Sequence, residues 1–120
     1  EETPFYSYFL VDGRGYIDSG VPAADAIADG EAIVAAHSGG KVAFLPKQIK
    51  LFADGAIISQ LMQMKDGYTD GHHGAWIIDP PAFDFMFQAY WDAGYQIHVH
   101  NNGDAGMDMV LASIEKAMAP

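Results

Sequence analysis

A chain of 120 residues that is half apolar and 18% charged has the composition of one globular domain, which argues against disorder and against a multidomain protein. The net charge of −10 sets 16 acidic residues against six basic ones, Arg14, Lys41, Lys47, Lys50, Lys65 and Lys116, so a phosphate backbone or an anionic membrane surface would be repelled and nucleic-acid binding is set aside. Cysteine is absent, which removes disulfides, thiol nucleophiles and thiolate metal sites and leaves His and carboxylates as the candidate metal ligands.

The order of elements follows from local chemistry. Phe5 to Val11 is aromatic and aliphatic and reads as a first strand, ended by the turn signal Asp12-Gly13-Arg14-Gly15. Val21 to Ser38 is Ala-rich with Ile27, Ile33 and Val34, a helix that Asp29-Gly30 is expected to break or restart. Gly39-Gly40 stops it, and an extended pattern resumes, interrupted by Pro46, with the second strand expected at Ile49 to Ala53. Residues 54 to 79 carry Gly55, Gly67, Gly71 and Gly74 with little periodicity, and connections of that length are usually functional or disordered. Asp79-Pro80 opens a helix, with Asp79 as the capping carboxylate and Phe83, Met86, Phe87 and Tyr90 on one face. Gly94 ends that helix, and Tyr95 to His100 reads as a third strand. Asp104 is expected to cap a last helix whose buried stripe is Met107, Val110, Leu111, Ile114 and Met118. Strands alternating with helices predict parallel βα units, and no repeat or linker divides the chain. The start Glu1-Glu2-Thr3-Pro4 lacks the positive charge and apolar run of a signal peptide, and no stretch nears the roughly 20 apolar residues of a membrane helix. With the missing cysteines, this predicts a cytoplasmic protein.

The candidate chemistry lies where strands end. His98 and His100 are two apart in a strand, so their side chains leave one face about 7 Å apart, an arrangement that suits two imidazoles on one cation and equally suits core or surface histidines. His100 immediately precedes Asn101-Asn102-Gly103-Asp104, where the chain must turn, while His98 lies one layer deeper, where a hydrogen-bonded structural histidine is expected. Lys50 alternates with Phe52 on one face of its strand. It is either a lysine whose stem packs while its ammonium reaches water, or a buried amine able to form a carbamate with carbon dioxide. Asp54 reads as a ligand, a substrate contact or an Asp-Gly turn residue, and Asp104 as a helix cap or the partner of a ligand histidine. His72 and His73, adjacent in the Gly-rich segment, read as substrate contacts or as merely exposed, and exposure is favoured because neighbours in an extended loop face different ways. His37 falls at a helix end and is assigned no chemistry.

The run Ile49-Lys50-Leu51-Phe52-Ala53-Asp54-Gly55-Ala56 and the run Gly94-Tyr95-Gln96-Ile97-His98-Val99-His100 with Gly103-Asp104 resemble the fourth strand, and the fifth strand with its following turn, of metal-dependent amidohydrolases, in particular the branch that includes N-substituted formamide deformylase. The resemblance is best over about residues 46 to 115, and the preceding segment is more loosely similar to the third strand and helix. It implies an α/β fold forming part of a TIM (β/α)8 barrel, with residues 1–120 a single fragment of about three βα units, since a whole barrel usually needs about 250 residues. By position it implies that Lys50 is a carbamylated lysine bridging metal ions and that His100 is a metal ligand. His98 does not match a ligand position well and, with Asp54 and Asp104, is left to hold a ligand residue in place or to contact substrate. No His-x-His precedes Lys50, no further histidine follows His100, and no strand beyond the third is present to supply a late aspartate. The implied function is therefore a fragment of a zinc-type hydrolase, with one or two divalent ions in the complete enzyme, acting on amide-like C–N bonds of a small molecule and inert alone. The alternative is a noncatalytic α/β module that self-associates as a homo-oligomer or packs on a partner, burying open strand edges and helix faces.

Overall fold

A computed structural model describes residues 4–120. Within them, β1 (Ser7–Asp12), β2 (Val42–Phe52) and β3 (Gln96–His100) form a sheet of order β1-β2-β3, and both strand pairs are parallel. Two helices, α1 (Gly13–Asp18) and α2 (Ala23–His37), connect β1 to β2; α3 (Pro80–Asp92) leads into β3, and α4 (Asp104–Met118) follows it. The alternation of apolar strands and helices thus yields the parallel α/β architecture expected of it.

The core explains which strand face is covered. Ile49 and Leu51 of β2, and Ala53 just beyond it, are buried with Ala26 of α2 and with Phe83, Met86, Phe87 and Tyr90 of α3, the four residues whose spacing marked one helical face. Helices α2 and α3 also pack on each other, so both lie on this side of the sheet.

Several local expectations are corrected. Asp12-Gly13 is a helix start, not a turn: Asp12 Oδ1 accepts the Arg14 N–H at 2.9 Å and caps α1. Gly13 is required there, because a Cβ would lie 2.6 Å from Leu51 Cδ2. Helix α2 runs unbroken through Asp29-Gly30. Gly30 is buried facing Val11, and the roughly 1 kcal/mol that glycine costs a helix does not suffice to break one packed on the sheet. Strand β2 begins earlier than expected, at Val42, and the interruption at Pro46 is a register shift: Phe9 pairs with Phe44 but Val11 with Ile49. Lys47, inside that irregularity, has φ 54° and is tied down by an ion pair to Glu31 at 2.6 Å and by contact with the Tyr95 ring.

The helix ends and the last buried stripe differ too. Asp79 occupies the N-cap position of α3, but its side chain makes no capping hydrogen bond there. Gly103, not Asp104, is the N-cap residue of α4. Val110 is buried and Ile114 packs on the core as expected, but the other buried residues of α4 are Gly106 and Ser113, and Met107, Leu111 and Met118 are exposed. Gly106 packs against Asn101 and the Asp54 carboxylate, while Ser113 and Lys116 both donate to Asp84 of α3. A hydrophobic count passes over such a stripe because glycine and serine contribute nothing to it.

The 54–79 connection is ordered. It holds a single-turn 3-10 helix at Ile57–Ser59 and an isolated bridge between Asp54 and Trp76. Backbone bonds from Gly55 to Leu61 and Ala75, and from Met64 to His73, fold it back on itself.

Candidate functional site

In a parallel pair, residues in register share a face. Lys50 lies between Asp12 of β1 and His98 of β3, and Phe52 lies beside His100 one step nearer the strand ends. Since Ile49 and Leu51 face the helices, the row Asp12, Lys50, His98 and the pair Phe52, His100 occupy the opposite face, which neither α2 nor α3 covers. Lys50 and both histidines are half-buried there.

Each side chain on this face has a partner. Lys50 Nζ sits 5.1 Å from the centre of the Phe52 ring, whose other neighbour is the His100 ring at 5.9 Å. His98 Nε2 lies 2.9 Å from Gln48 Oε1. His100 Nε2 lies 2.9 Å from Asn102 Nδ2, which also donates to the Gly55 carbonyl at 3.0 Å.

Asp54 stands just beyond the end of β2 and is fully buried. It is neither exposed nor a simple turn residue: its carboxylate accepts the backbone N–H groups of Asn102 at 2.8 Å, Gly103 at 2.6 Å and Gln63 at 2.8 Å. One side chain thereby joins the ends of β2 and β3 to the long connection. Hydrogen bonds to a charged acceptor are the stronger kind, which suits a group that fixes three segments at once.

Asp104 is exposed and accepts the N–H groups of Lys65 at 3.0 Å and Ala105 at 2.9 Å. These bonds, that of Lys65 foremost, hold its carboxyl below the usual aspartate range. Lys65 also pairs with Asp108 at 2.6 Å, so Asp104 and Asp108 both dock the connection onto α4. In the same connection His72 stacks on Tyr68 with centroids 4.3 Å apart, and its ring nitrogens meet the Gln60 carbonyl at 2.8 Å and Asp70. Those partners, the Gln60 carbonyl first, raise its pKa above the ordinary imidazole value. His73 contacts the Met64 carbonyl at 3.0 Å, and His37 rests near Phe44.

Sequence reasoning missed Asp12 and Asn102 as neighbours of the candidate residues. Asp12 was hidden inside a turn signal, although its position at a strand end was a usable cue. Asn102 stands two residues past His100 in a polar turn, and only the backbone geometry brings its amide back to the imidazole. Among the described residues, no three His, Asp or Glu side chains converge so as to hold a metal. No helix among them is long and apolar enough to cross a membrane.

No protein-family model and no curated protein matches the chain. Two solved structures share its fold. An uncharacterized metal-dependent hydrolase from Pyrococcus furiosus superposes with a TM-score of 0.63 at 18% identity, covering 93% of this chain and 22% of its own. Another, from Pyrococcus horikoshii OT3, gives a TM-score of 0.59 at 16% identity, covering 91% of this chain and 26% of its own. At such identities the likeness establishes the fold, and the chain spans about a quarter of the length of each of these proteins.

Proposed function

We propose that residues 1–120 are about three βα units of a metal-dependent hydrolase barrel, of the amidohydrolase type that cleaves amide-like C–N bonds in small molecules. The observation that carries the reading is the placement of Lys50 and His100 on the uncovered face of a parallel sheet, at strand ends that open onto connecting loops, in a fold shared with segments of two metal-dependent hydrolases.

The donor chemistry fits part of a metal site. A neutral imidazole at His100 and, once carbamylated, the oxygens of Lys50 are suitable ligands for a divalent ion such as zinc. These two groups do not complete a site, and the other ligands are assigned to segments outside residues 1–120. When bound, such an ion supplies a hydroxide at neutral pH and polarises the scissile carbonyl. The contribution of this chain is to hold the two donors: the Phe52 ring packs against each of them, and the Asp54 carboxylate fixes the turn that follows His100. By itself the chain is expected to be inert. The missing cysteines fit the cytoplasm as its compartment. Purifying the full-length product with bicarbonate and zinc tests the proposal through the density at Lys50. A carbamate bridging metal ions supports it, and a free ammonium remote from metal in an active enzyme defeats it.

A second reading, a noncatalytic module that self-associates, draws on the edge strand β1, where Tyr8 is 65% and Phe9 46% exposed. Sedimentation distinguishes the two states of the isolated chain: oligomers support self-association, and a compact monomer at all concentrations opposes it.

A further inference from the structure

Strand β2 leaves its register with β1 at one place. Between the pairs Phe9–Phe44 and Val11–Ile49 it carries more residues than β1 does, and the excess, which includes Pro46 and Lys47, borders a cleft of about 220 Å³ against α2. Val11, Val34 and Pro46 give the cleft apolar walls, and Gly30 has no side chain to fill it. A cavity of about 150 Å³ takes up benzene, so there is room here for one ring or a branched alkyl group. Tyr95, just before β3, also lines the cleft, whereas His100 and Asp54 stand at the other end of the strands. The cleft is therefore separate from the candidate metal residues.

One side of the cleft already holds an ammonium. Lys47 Nζ lies 2.6 Å from Glu31 Oε1 and 4.9 Å from the centre of the Tyr95 ring, and all three residues line the cleft. A carboxylate beside an aromatic face is a pairing that holds organic cations, the first by its charge and the second by the negative face of its quadrupole. The Tyr95 ring is held in place for this: it packs edge-on against buried Tyr90 with centroids 5.0 Å apart, and its hydroxyl lies 3.5 Å from the same Glu31 oxygen. Lys47 is a loosely held occupant, because its side chain is 52% and that of Glu31 50% exposed, a setting in which an ion pair contributes little and its ammonium is readily given back to water. An anion is disfavoured at the same point, since Glu31 stands beside the ammonium and the chain carries a net charge of −10.

We propose that this cleft binds a small organic cation, an ammonium group on a compact apolar body, whose charge takes the place that Lys47 Nζ holds between Glu31 and Tyr95 while its body lies along Val11, Val34 and Pro46. The Lys47 side chain then acts as a built-in competitor for the site. The assignment is independent of the reading of Lys50 and His100.

Calorimetric titration of the full-length product at fixed salt with benzylammonium, benzyl alcohol and phenylacetate, which share one ring and differ in charge, tests the proposal. Benzylammonium should bind the most tightly and phenylacetate the most weakly. Lys47→Met removes the competing ammonium and should tighten benzylammonium about two- to fivefold. In that background Glu31→Gln should weaken it about fivefold or more, and Tyr95→Leu about two- to fivefold. Tyr95 also packs on Tyr90, so the decisive variant is Glu31→Gln, an isosteric change at an exposed side chain. Phenylacetate binding as tightly as benzylammonium overturns the proposal, as does an affinity that is unchanged or weaker in Lys47→Met. So does an affinity that Glu31→Gln leaves unaltered, or the absence of saturable benzylammonium binding in Lys47→Met.

Discussion

The two faces of β2 obey different rules. Ile49 and Leu51 point into helices α2 and α3 and are buried to within 1% of full cover, while Lys50 and Phe52 alternate with them on a face those helices leave open. On the covered side packing dictates the residue. On the other side an ammonium and two imidazoles stand in rows where, in a parallel sheet closed on both faces, branched aliphatic residues would be expected. The contrast teaches that packing sets the residues of the covered face while the open face accommodates polar ones, and the end of β2, where Asp54 joins both strands to the long connection, is where the two meet.

Asp54→Ala should have the largest effect. It strips three buried N–H groups of their acceptor, and a loss of about 3–5 kcal/mol, or failure to fold, is expected in chemical denaturation. A loss below about 1 kcal/mol would show that the strand ends hold without the carboxylate. Leu51→Ala should cost about 2–5 kcal/mol by opening a cavity in the covered face. Its neighbour Lys50→Ala should cost under about 1 kcal/mol in the same assay, since no core contact is lost. Equal costs at these adjacent positions would break the distinction between the faces.

Two glycines sharpen the comparison by sign. Gly106→Ala drives a Cβ against Asn101 Oδ1 and the Asp54 carboxylate, and should destabilise by about 1–3 kcal/mol. Gly30→Ala meets only Val11 at an ordinary 3.6 Å within a helix, and should stabilise by about 0.5–1 kcal/mol as judged by thermal unfolding. The smallest effect concerns His72. Its folded pKa is raised, so its contribution is complete below the unfolded value of about 6.5 and is lost as pH rises through the folded value. The stability gap between the unaltered chain and His72→Gln should therefore narrow with increasing pH, and a gap that widens would refute the assignment.

Legibility in the sequence followed the same division. The stripe Phe83, Met86, Phe87, Tyr90 was plain because large apolar residues at helical spacing have one physical use. The stripe of α4 was read only in part: Val110 is buried and Ile114 packs on the core, but Gly106 and Ser113 take the other inner positions and Met107, Leu111 and Met118 lie outside. Lys50, His98 and His100 could be assigned to one face of their strands by alternation alone. What alternation omits is register, which sets Lys50 beside His98 and Asp12 and leaves His100 beside Phe52. The role of Asp54 was beyond reach for a related reason: its three partners lie as much as 49 residues away, and an Asp-Gly pair signals a turn whether or not its carboxylate is buried.

The central claim, that Lys50 and His100 belong to a metal site completed by other segments, is tested most directly by counting divalent metal in the full-length product with and without His100→Ala. The account predicts at least one tightly bound ion per chain in the unaltered protein and a marked loss in the variant, with folding preserved. Equal metal content in both, or a full-length protein that binds none, would contradict it.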